Sequence, residues 1–239
     1  MSRKSGKYQQ AKEYYLKALY IIRTTHGEKH SETATLYVNL GEMFRSLENY
    51  PEAIKHVKKA ANIWKAIYGE ENQLVASSYE KIAYGYQTLK NYQESLKYHE
   101  KALNIRRAIY EETHPDIALS YKNLASDYEA LGQYKKALEY HQKALDILQD
   151  LYVEAHPQIV SSYIGLASVY NRLEQHKKAF EYQRKALDIR KATFGEAHPL
   201  TAESYYNLGL LYDNLKQHQH ALSCNKTALN LFQTLYRET

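Results

Sequence analysis

The sequence repeats itself at an interval of 42 residues, in five consecutive units. Tyrosine, aliphatic and small residues recur in fixed columns at this interval. The clearest columns are Tyr37, Tyr79, Tyr121, Tyr163 and Tyr205; Leu40, Ile82, Leu124, Leu166 and Leu208; Gly41, Ala83, Ala125, Ala167 and Gly209; and Ala60, Ala102, Ala144, Ala186 and Ala228. A fixed interval of this length indicates a stacked repeat architecture, in which each unit contacts only its neighbours and cannot cover its own apolar faces alone.

Each repeat contains two amphipathic patterns with helical spacing. In the third repeat, the first stripe consists of Tyr121, Leu124, Ala125 and Tyr128, and the second runs from Tyr134 to Leu148. This spacing of i, i+3, i+4 and i+7 places each stripe on one face of a helix. Gly132 supplies a turn between the two helices, and a proline after His114, His156 and His198 suits the first turn of the next helix. We therefore predict two helices in every repeat.

The spacing of Tyr121, Leu124-Ala125, Tyr128, Ala137 and Ala144 resembles the tetratricopeptide signature. The unit of 42 residues is longer than the tetratricopeptide repeat of about 34 residues. With its Asn-Leu-Ala, Ala-Leu-x-Tyr and Gly-Glu-x-His-Pro segments, it resembles the kinesin light chain and nephrocystin group of these repeats. The resemblance covers essentially the whole chain and implies an all-α, right-handed superhelical solenoid of antiparallel helix pairs. We predict a single array over 1–239, with a half repeat at 7–29 and full repeats at 30–71, 72–113, 114–155, 156–197 and 198–239.

The two ends of the array are unusual for a solenoid. Residues 7–29 match only the second helix of a repeat, because Tyr8, Ala11, Ala18 and Ile21 align with Tyr50, Ala53, Ala60 and Ile63. The last repeat closes without a polar capping helix, which solenoids usually need for solubility. Two alternatives follow. The chain is a piece of a longer array, which would suit a regulatory or sensor segment of a larger multidomain signalling protein, or its uncapped ends associate with each other.

The resemblance implies a cytoplasmic, non-catalytic interaction scaffold or adaptor that binds a peptide or helix of a partner protein in a concave groove. That groove is lined by the first helix of each repeat. The family typically carries asparagine in the column that precedes the conserved-looking leucine, where its amide holds the backbone of a bound peptide. This column contains Asn39, Lys81, Asn123, Gly165 and Asn207, so Lys81 and Gly165 depart from the pattern.

Charges near this column are mixed. Arg45, Lys81, Lys122 and Arg172 suit an acidic peptide, while Glu42, Glu80, Glu129 and Asp213 oppose one. Ile164, Gly165 and Tyr206 make the last third of the groove more apolar and favour an apolar anchor there. The predicted peptide-binding residues are Asn39, Arg45, Lys81, Lys122, Asn123, Arg172 and Asn207.

Other function classes find little support in the sequence. There is no phosphate loop, dinucleotide fingerprint, nucleophile elbow or metalloprotease motif, so we predict no enzyme activity and no cofactor. The histidines that precede prolines recur at the interval of the fold, too far apart to share one metal ion, and we predict no metal site. The paired bases of the second helices are interpreted as a solvated face, not as a nucleic-acid or membrane surface. Cys224 takes a packing position in a tyrosine column.

Overall fold

The computed structural model describes residues 3–152 and 156–237, with side chains for 10–152 and 156–235. These residues form eleven helices. The helices are α1 (Arg3–His26), α2 (Ser31–Ser46), α3 (Tyr50–Tyr68), α4 (Gln73–Thr88), α5 (Tyr92–Ile109), α6 (Pro115–Ala130), α7 (Tyr134–Leu151), α8 (Pro157–Arg172), α9 (His176–Phe194), α10 (Pro199–Asn214) and α11 (His218–Arg237). No strand occurs in the described ranges, and the predicted all-α fold is confirmed. The predicted repeat boundary at Ala155 and the end at Thr239 lie outside the described residues.

The helices group into two compact units, Met1–Glu112 and Thr113–Thr239. The first unit contains α1 to α5, and the second contains α6 to α11. Within each unit, every helix packs against the next one along the chain. The closest pairs are α2 with α3, α4 with α5, α6 with α7, α8 with α9, and α10 with α11. Each of these pairs is joined by a turn of three residues, which makes the two helices antiparallel neighbours.

Histidine side chains cap the first helix of most repeats. Nδ1 of His114 accepts a hydrogen bond from the backbone N–H of Asp116 at 3.1 Å. His30, His156 and His198 make the equivalent bond at 3.2–3.3 Å, and Asn72 takes this role for α4. A cap of this kind satisfies one of the backbone donors that a helix start leaves without a partner. The recurring histidines therefore hold helix starts, and Pro115, Pro157 and Pro199 follow them at the first turn.

The turn inside each helix pair has a left-handed residue at the same place in all five repeats. Gly132 occupies it in the third repeat, with φ of 72°. The other repeats place Glu48, Lys90, Glu174 and Lys216 there, with φ of 58–59°. Glycine adopts this conformation at little steric cost, whereas a side chain at Cβ crowds the following carbonyl. The predicted role of Gly132 is confirmed, and four repeats make the same turn under strain.

Small residues allow the paired helices to approach closely. Ala60, Ala144 and Ala186 are fully buried. A Cβ atom added to Gly41 of α2 would lie 2.6 Å from Cγ2 of Val57 in α3, a distance that real Cβ contacts essentially never show. The small columns of the sequence therefore mark the contacts between helices, and the tyrosine and aliphatic columns fill the space around them.

The tyrosine columns pack against each other and against lysine side chains. In the fourth repeat, the ring of Tyr182 lies 5.9 Å from that of Tyr163 and 5.6 Å from that of Tyr170, between ring centroids. Nζ of Lys185 is 5.6 Å from the Tyr163 centroid, and Nζ of Lys178 is 5.2 Å from the Tyr170 centroid. Ammonium groups are attracted to the faces of such rings. This arrangement recurs around Tyr98 and Tyr140 and accounts for many of the 25 tyrosines.

The second helices carry five basic pairs, and these internal contacts partly engage them. The pairs are Lys58-Lys59, Arg106-Arg107, Lys135-Lys136, Lys177-Lys178 and Arg184-Lys185. At least one cation of each pair contacts a tyrosine ring or a carboxylate in its own unit. The engaged cations are Lys58, Lys59, Arg106, Arg107, Lys136, Lys178 and Lys185. Arg106 is almost fully buried and donates to Glu80 at 2.7 Å. These cations therefore have a structural role within the repeats.

Along residues 3–152 and 156–237, none of the helices combines the length and the apolar character that a bilayer crossing requires.

Candidate functional site

The predicted binding residues lie on the first helices of the repeats. Asn39 is on α2, Asn123 on α6 and Asn207 on α10, and all three side chains are half-buried. The amides of Asn39 and Asn207 make no hydrogen bond to any described residue. An amide that is reachable from solvent and unengaged can both donate to and accept from the backbone of a ligand.

In the first unit, two predicted cations share one carboxylate. Nε of Arg45 donates to Oε2 of Glu42 at 2.7 Å, and Nζ of Lys81 donates to Oε1 of the same residue. Burial alone would raise the pKa of Glu42, but the hydrogen bonds from Lys81 and Arg45 outweigh it and lower that pKa. The guanidinium of Arg45 also lies 6.0 Å from the exposed ring of Tyr84. The cluster joins α2 to α4 and carries a net positive charge.

In the second unit, side chains of successive first helices are joined by hydrogen bonds. Nζ of Lys122 donates to Oγ of Ser161, and burial lowers the pKa of this lysine. Oγ of Ser168 donates to Oε1 of Glu129 at 2.6 Å. These contacts tie α6 to α8. Arg172 is exposed at the end of α8 and makes no hydrogen bond or ion pair with a described residue, so the structure does not join it to Lys122.

The departure from asparagine at Gly165 has a steric cause. A Cβ atom at Gly165 of α8 would lie 2.3 Å from Cε1 of His141, whose ring projects from α7. His141 is 5% exposed, and neither of its ring nitrogens has a hydrogen-bond partner among the described residues. The imidazole would have to move to admit any side chain at position 165. The missing asparagine is visible in the sequence, but its connection with a histidine 24 residues earlier is not.

A hollow of about 240 Å³ lies between α8, α9 and α10 in the second unit. Its walls include the apolar residues Ile164, Ala167, Leu210 and Leu211. Asn207 and the buried Gln183 also line it. The apolar character of Ile164 was expected from the sequence. Gln183 was missed because it belongs to a second helix, on which no binding residue was sought.

One group of described residues could hold a metal ion. Ligand atoms of His26, His30 and Glu32 all lie within 4.8 Å of one another. However, Nδ1 of His30 already accepts the capping bond from the Glu32 N–H, so coordination through Nε2 would require a tautomer that breaks this cap. His26 lies outside the column of histidines that precede prolines and occupies the place of an aromatic residue in later repeats.

The remaining chemistry-bearing side chains contribute to packing. Cys224 is half-buried, and burial raises the pKa of its thiol, which makes it a poor nucleophile at neutral pH. Trp64 is buried in the core around α3. The position of Cys224 agrees with the packing role expected from the sequence.

Comparison with known proteins identifies the repeats. The tetratricopeptide repeat family matches residues 1–66, 32–87, 74–150 and 158–234. No curated protein matches the chain. Among solved structures, BtubC (BKLC) from P. vanneervenii is 19% identical, with a TM-score of 0.83 over 99% of this chain and 93% of that chain.

Two further solved structures show the same fold. A putative kinesin light chain from Podosopora anserina with nearly identical TPR-like repeats is 22% identical, with a TM-score of 0.75 over 87% of this chain and 99% of that chain. The apo form of RapI is 20% identical, with a TM-score of 0.73 over 95% of this chain and 59% of that chain. Proteins built from these repeats are generally non-catalytic interaction scaffolds. The family match spans most of the sequence, and the chain belongs to the tetratricopeptide repeat family.

Proposed function

We propose that this protein is an interaction scaffold that binds an extended peptide segment of a partner protein along the exposed faces of its first helices. The observation that carries the proposal is the pair of half-buried, unengaged amides, Asn39 in the first unit and Asn207 in the second. A peptide backbone presents N–H and C=O groups at regular intervals, and an amide side chain matches both. Such contacts bind a main chain without selecting its sequence.

The side chains around these amides lead each unit to favour a different kind of ligand side chain. In the first unit, Arg45 and Lys81 share the single carboxylate of Glu42, which leaves one positive charge uncompensated within this cluster. An acidic side chain of the ligand is favoured there. In the second unit, Ile164, Tyr206 and Leu210 present apolar surface, of which Tyr206 and Leu210 are 50% and 45% exposed. An uncharged side chain is favoured there.

Selection from a random peptide library tests this proposal. Twelve-residue peptides are displayed and selected on the immobilised wild-type chain, and the enriched peptides are synthesised and titrated by fluorescence anisotropy. We expect the double variant Asn39→Ala/Asn207→Ala to bind them about 5- to 150-fold more weakly, because each lost hydrogen bond contributes about 0.5–1.5 kcal/mol. Its melting temperature should stay close to that of the wild type, since neither amide bonds to the fold.

The matched control is the double variant Asn62→Ala/Asn230→Ala. These two asparagines are exposed on the second helices α3 and α11, one in each unit. We expect this variant to bind the peptides as the wild type does. Equal binding by wild type and Asn39→Ala/Asn207→Ala, or a library that yields no enriched peptide, would reject the proposed binding face.

A further inference from the structure

In four of the five helix pairs, one aromatic residue of the second helix packs beside two aromatic rings of its own first helix. In the third repeat, the ring of Tyr140 lies 5.8 Å from that of Tyr121 and 5.3 Å from that of Tyr128, between ring centroids. The equivalent residues, each with two aromatic neighbours at 5.3–5.9 Å, are His56, Tyr98 and Tyr182. Aromatic pairs at such distances stabilise the contact between the two helices beyond the burial of their surface.

Tyr14 occupies the same column in α1, 42 residues before His56. Its side chain is 72% exposed, and it contacts no other ring within residues 10–152 and 156–235. Helix α2 packs against a different side of α1, where Leu19 and Tyr15 join the core of the first unit. The side of α1 that carries Tyr14 therefore corresponds to the side of α3 that contacts α2.

Two further residues on this side of α1 are exposed although their equivalents are engaged. Ile21 is 56% exposed, whereas its equivalents are 5–7% exposed. Lys17 is also exposed and lies over no aromatic ring among the described side chains. In the repeats, Nζ of the equivalent lysine lies 5.1–5.9 Å from the first tyrosine of its own first helix. We name the surface formed by Tyr14, Lys17 and Ile21 the open face of α1.

The equivalents of Ile21 are Ile63, Ile105, Ile147 and Ile189, and those of Lys17 are Lys59, Lys101, Lys143 and Lys185. All of them belong to α3, α5, α7 and α9, against each of which a first helix packs. The repeats therefore show which kind of element covers a surface of this composition.

A second copy of this chain does not suit the open face. The leucine column of its first helices is at most 4% exposed, so these helices have no free apolar stripe to offer. A symmetric contact between two α1 helices would bring each residue set against itself. Lys17 lies between Tyr14 and Ile21, so two ammonium groups would meet near the centre of that contact and repel each other.

We propose that the open face of α1 binds an amphipathic helix of a partner protein. This helix packs against α1 as the first helices pack against α3, α5, α7 and α9. Its contact stripe has an aromatic residue, a leucine three residues later, a small residue four later and a second aromatic residue seven later. The same stripe in α6 consists of Tyr121, Leu124, Ala125 and Tyr128. The two aromatic rings flank Tyr14, and the first of them lies beneath the ammonium of Lys17.

A peptide with the sequence of residues 114–130 tests this inference, because α6 carries the required stripe. A lactam joins Lys122 to the aspartate of Ser126→Asp, away from the stripe, since an isolated helix of this length is marginal in water. Its binding to the full chain is measured by fluorescence anisotropy. We expect the wild type to bind it, and Tyr14→Ala to bind it about tenfold more weakly because two aromatic contacts and the buried ring are lost.

The matched control is Tyr20→Ala, which removes an equally exposed tyrosine, 71% exposed, from another face of α1. This variant should bind the peptide as the wild type does, and so should Asn39→Ala/Asn207→Ala, because the open face is separate from the proposed peptide site. No binding to the wild type, or equal losses in Tyr14→Ala and Tyr20→Ala, would overturn this inference and leave the proposed function intact. A wild-type dimer that Tyr14→Ala dissociates would assign the open face to a second copy and would also overturn it.

Discussion

His141 shows how one buried side chain changes both the shape and the pH dependence of its unit. Burial, and to a lesser degree the positive charge of Lys122, lowers the pKa of this histidine from 6.5 to about 4. The imidazole is therefore neutral in the folded state at neutral pH. In the unfolded chain it titrates at its ordinary value. The unfolded state thus binds a proton at a higher pH than the folded state does.

We expect this difference to destabilise the protein in mild acid. The stabilising contribution is fully present above pH 6.5 and is lost as the pH falls toward 4, by about 3 kcal/mol in total. Urea unfolding at pH 7.0, 5.5 and 4.5 measures the effect on the wild type and on His141→Gln, which carries the residue of the next repeat. The variant should lose less stability over this range. Parallel losses in the two proteins would contradict the assigned protonation state.

The turns within the five helix pairs have the same backbone conformation but different residues at the position with positive φ. The second residue after each first helix adopts a positive φ, and only the third repeat has glycine there. A non-glycine residue in this conformation costs about 1–2 kcal/mol. Part of that cost is offset because a glycine is more flexible in the unfolded chain.

Glu174→Gly should therefore stabilise the chain. Glu174 has φ of 58° in the turn between α8 and α9. We expect a gain of about 0.5–1 kcal/mol in the free energy of unfolding, measured by urea denaturation. Gly132→Ala should lose a similar amount at the equivalent turn. A loss of stability in Glu174→Gly would show that contacts of the Glu174 side chain contribute more to the stability of this turn than the backbone strain costs.

Packing between paired helices depends on the alanine columns. Ala144 of α7 is 0% exposed, so a longer side chain there would have to enter the packed interior between the helices. We expect Ala144→Leu to cost about 1–3 kcal/mol by overpacking. Lys135→Leu, at an exposed position of the same helix, is the control and should change the melting temperature little. An unchanged melting temperature in Ala144→Leu would mean that this column does not form the contact.

The repeat pattern made the helices predictable, because every column that packs between helices is repeated five times and its spacing reveals the buried face. The site was harder to predict. The sequence placed Asn39 and Asn207 on the exposed side of first helices, but the pairing of Arg45 and Lys81 on Glu42 joins residues on separate helices. The hollow lined by Gln183 lies one repeat after the position where the ring of His141 fills the space between the helices. No local sequence pattern indicates an unfilled space of this kind.

At the scale of the whole molecule, two compact units present first helices with different surroundings. In the first unit, the positive cluster around Glu42 lies beside the exposed ring of Tyr84. In the second unit, the exposed ring of Tyr206 and the hollow share α10. The second helices instead carry cations held over tyrosine rings. Binding along the first helices is the claim on which the proposed function depends.

Photo-crosslinking tests this claim most directly. Benzoylphenylalanine replaces Tyr84 on α4, Tyr206 on α10, or Leu222 on α11, all of them exposed in the free protein. Each protein is irradiated with a library-selected peptide, and the adduct is quantified by mass spectrometry. We predict adducts from positions 84 and 206 and little from 222. Stronger crosslinking at 222 than at both first-helix positions would place the ligand on the second helices and contradict the account.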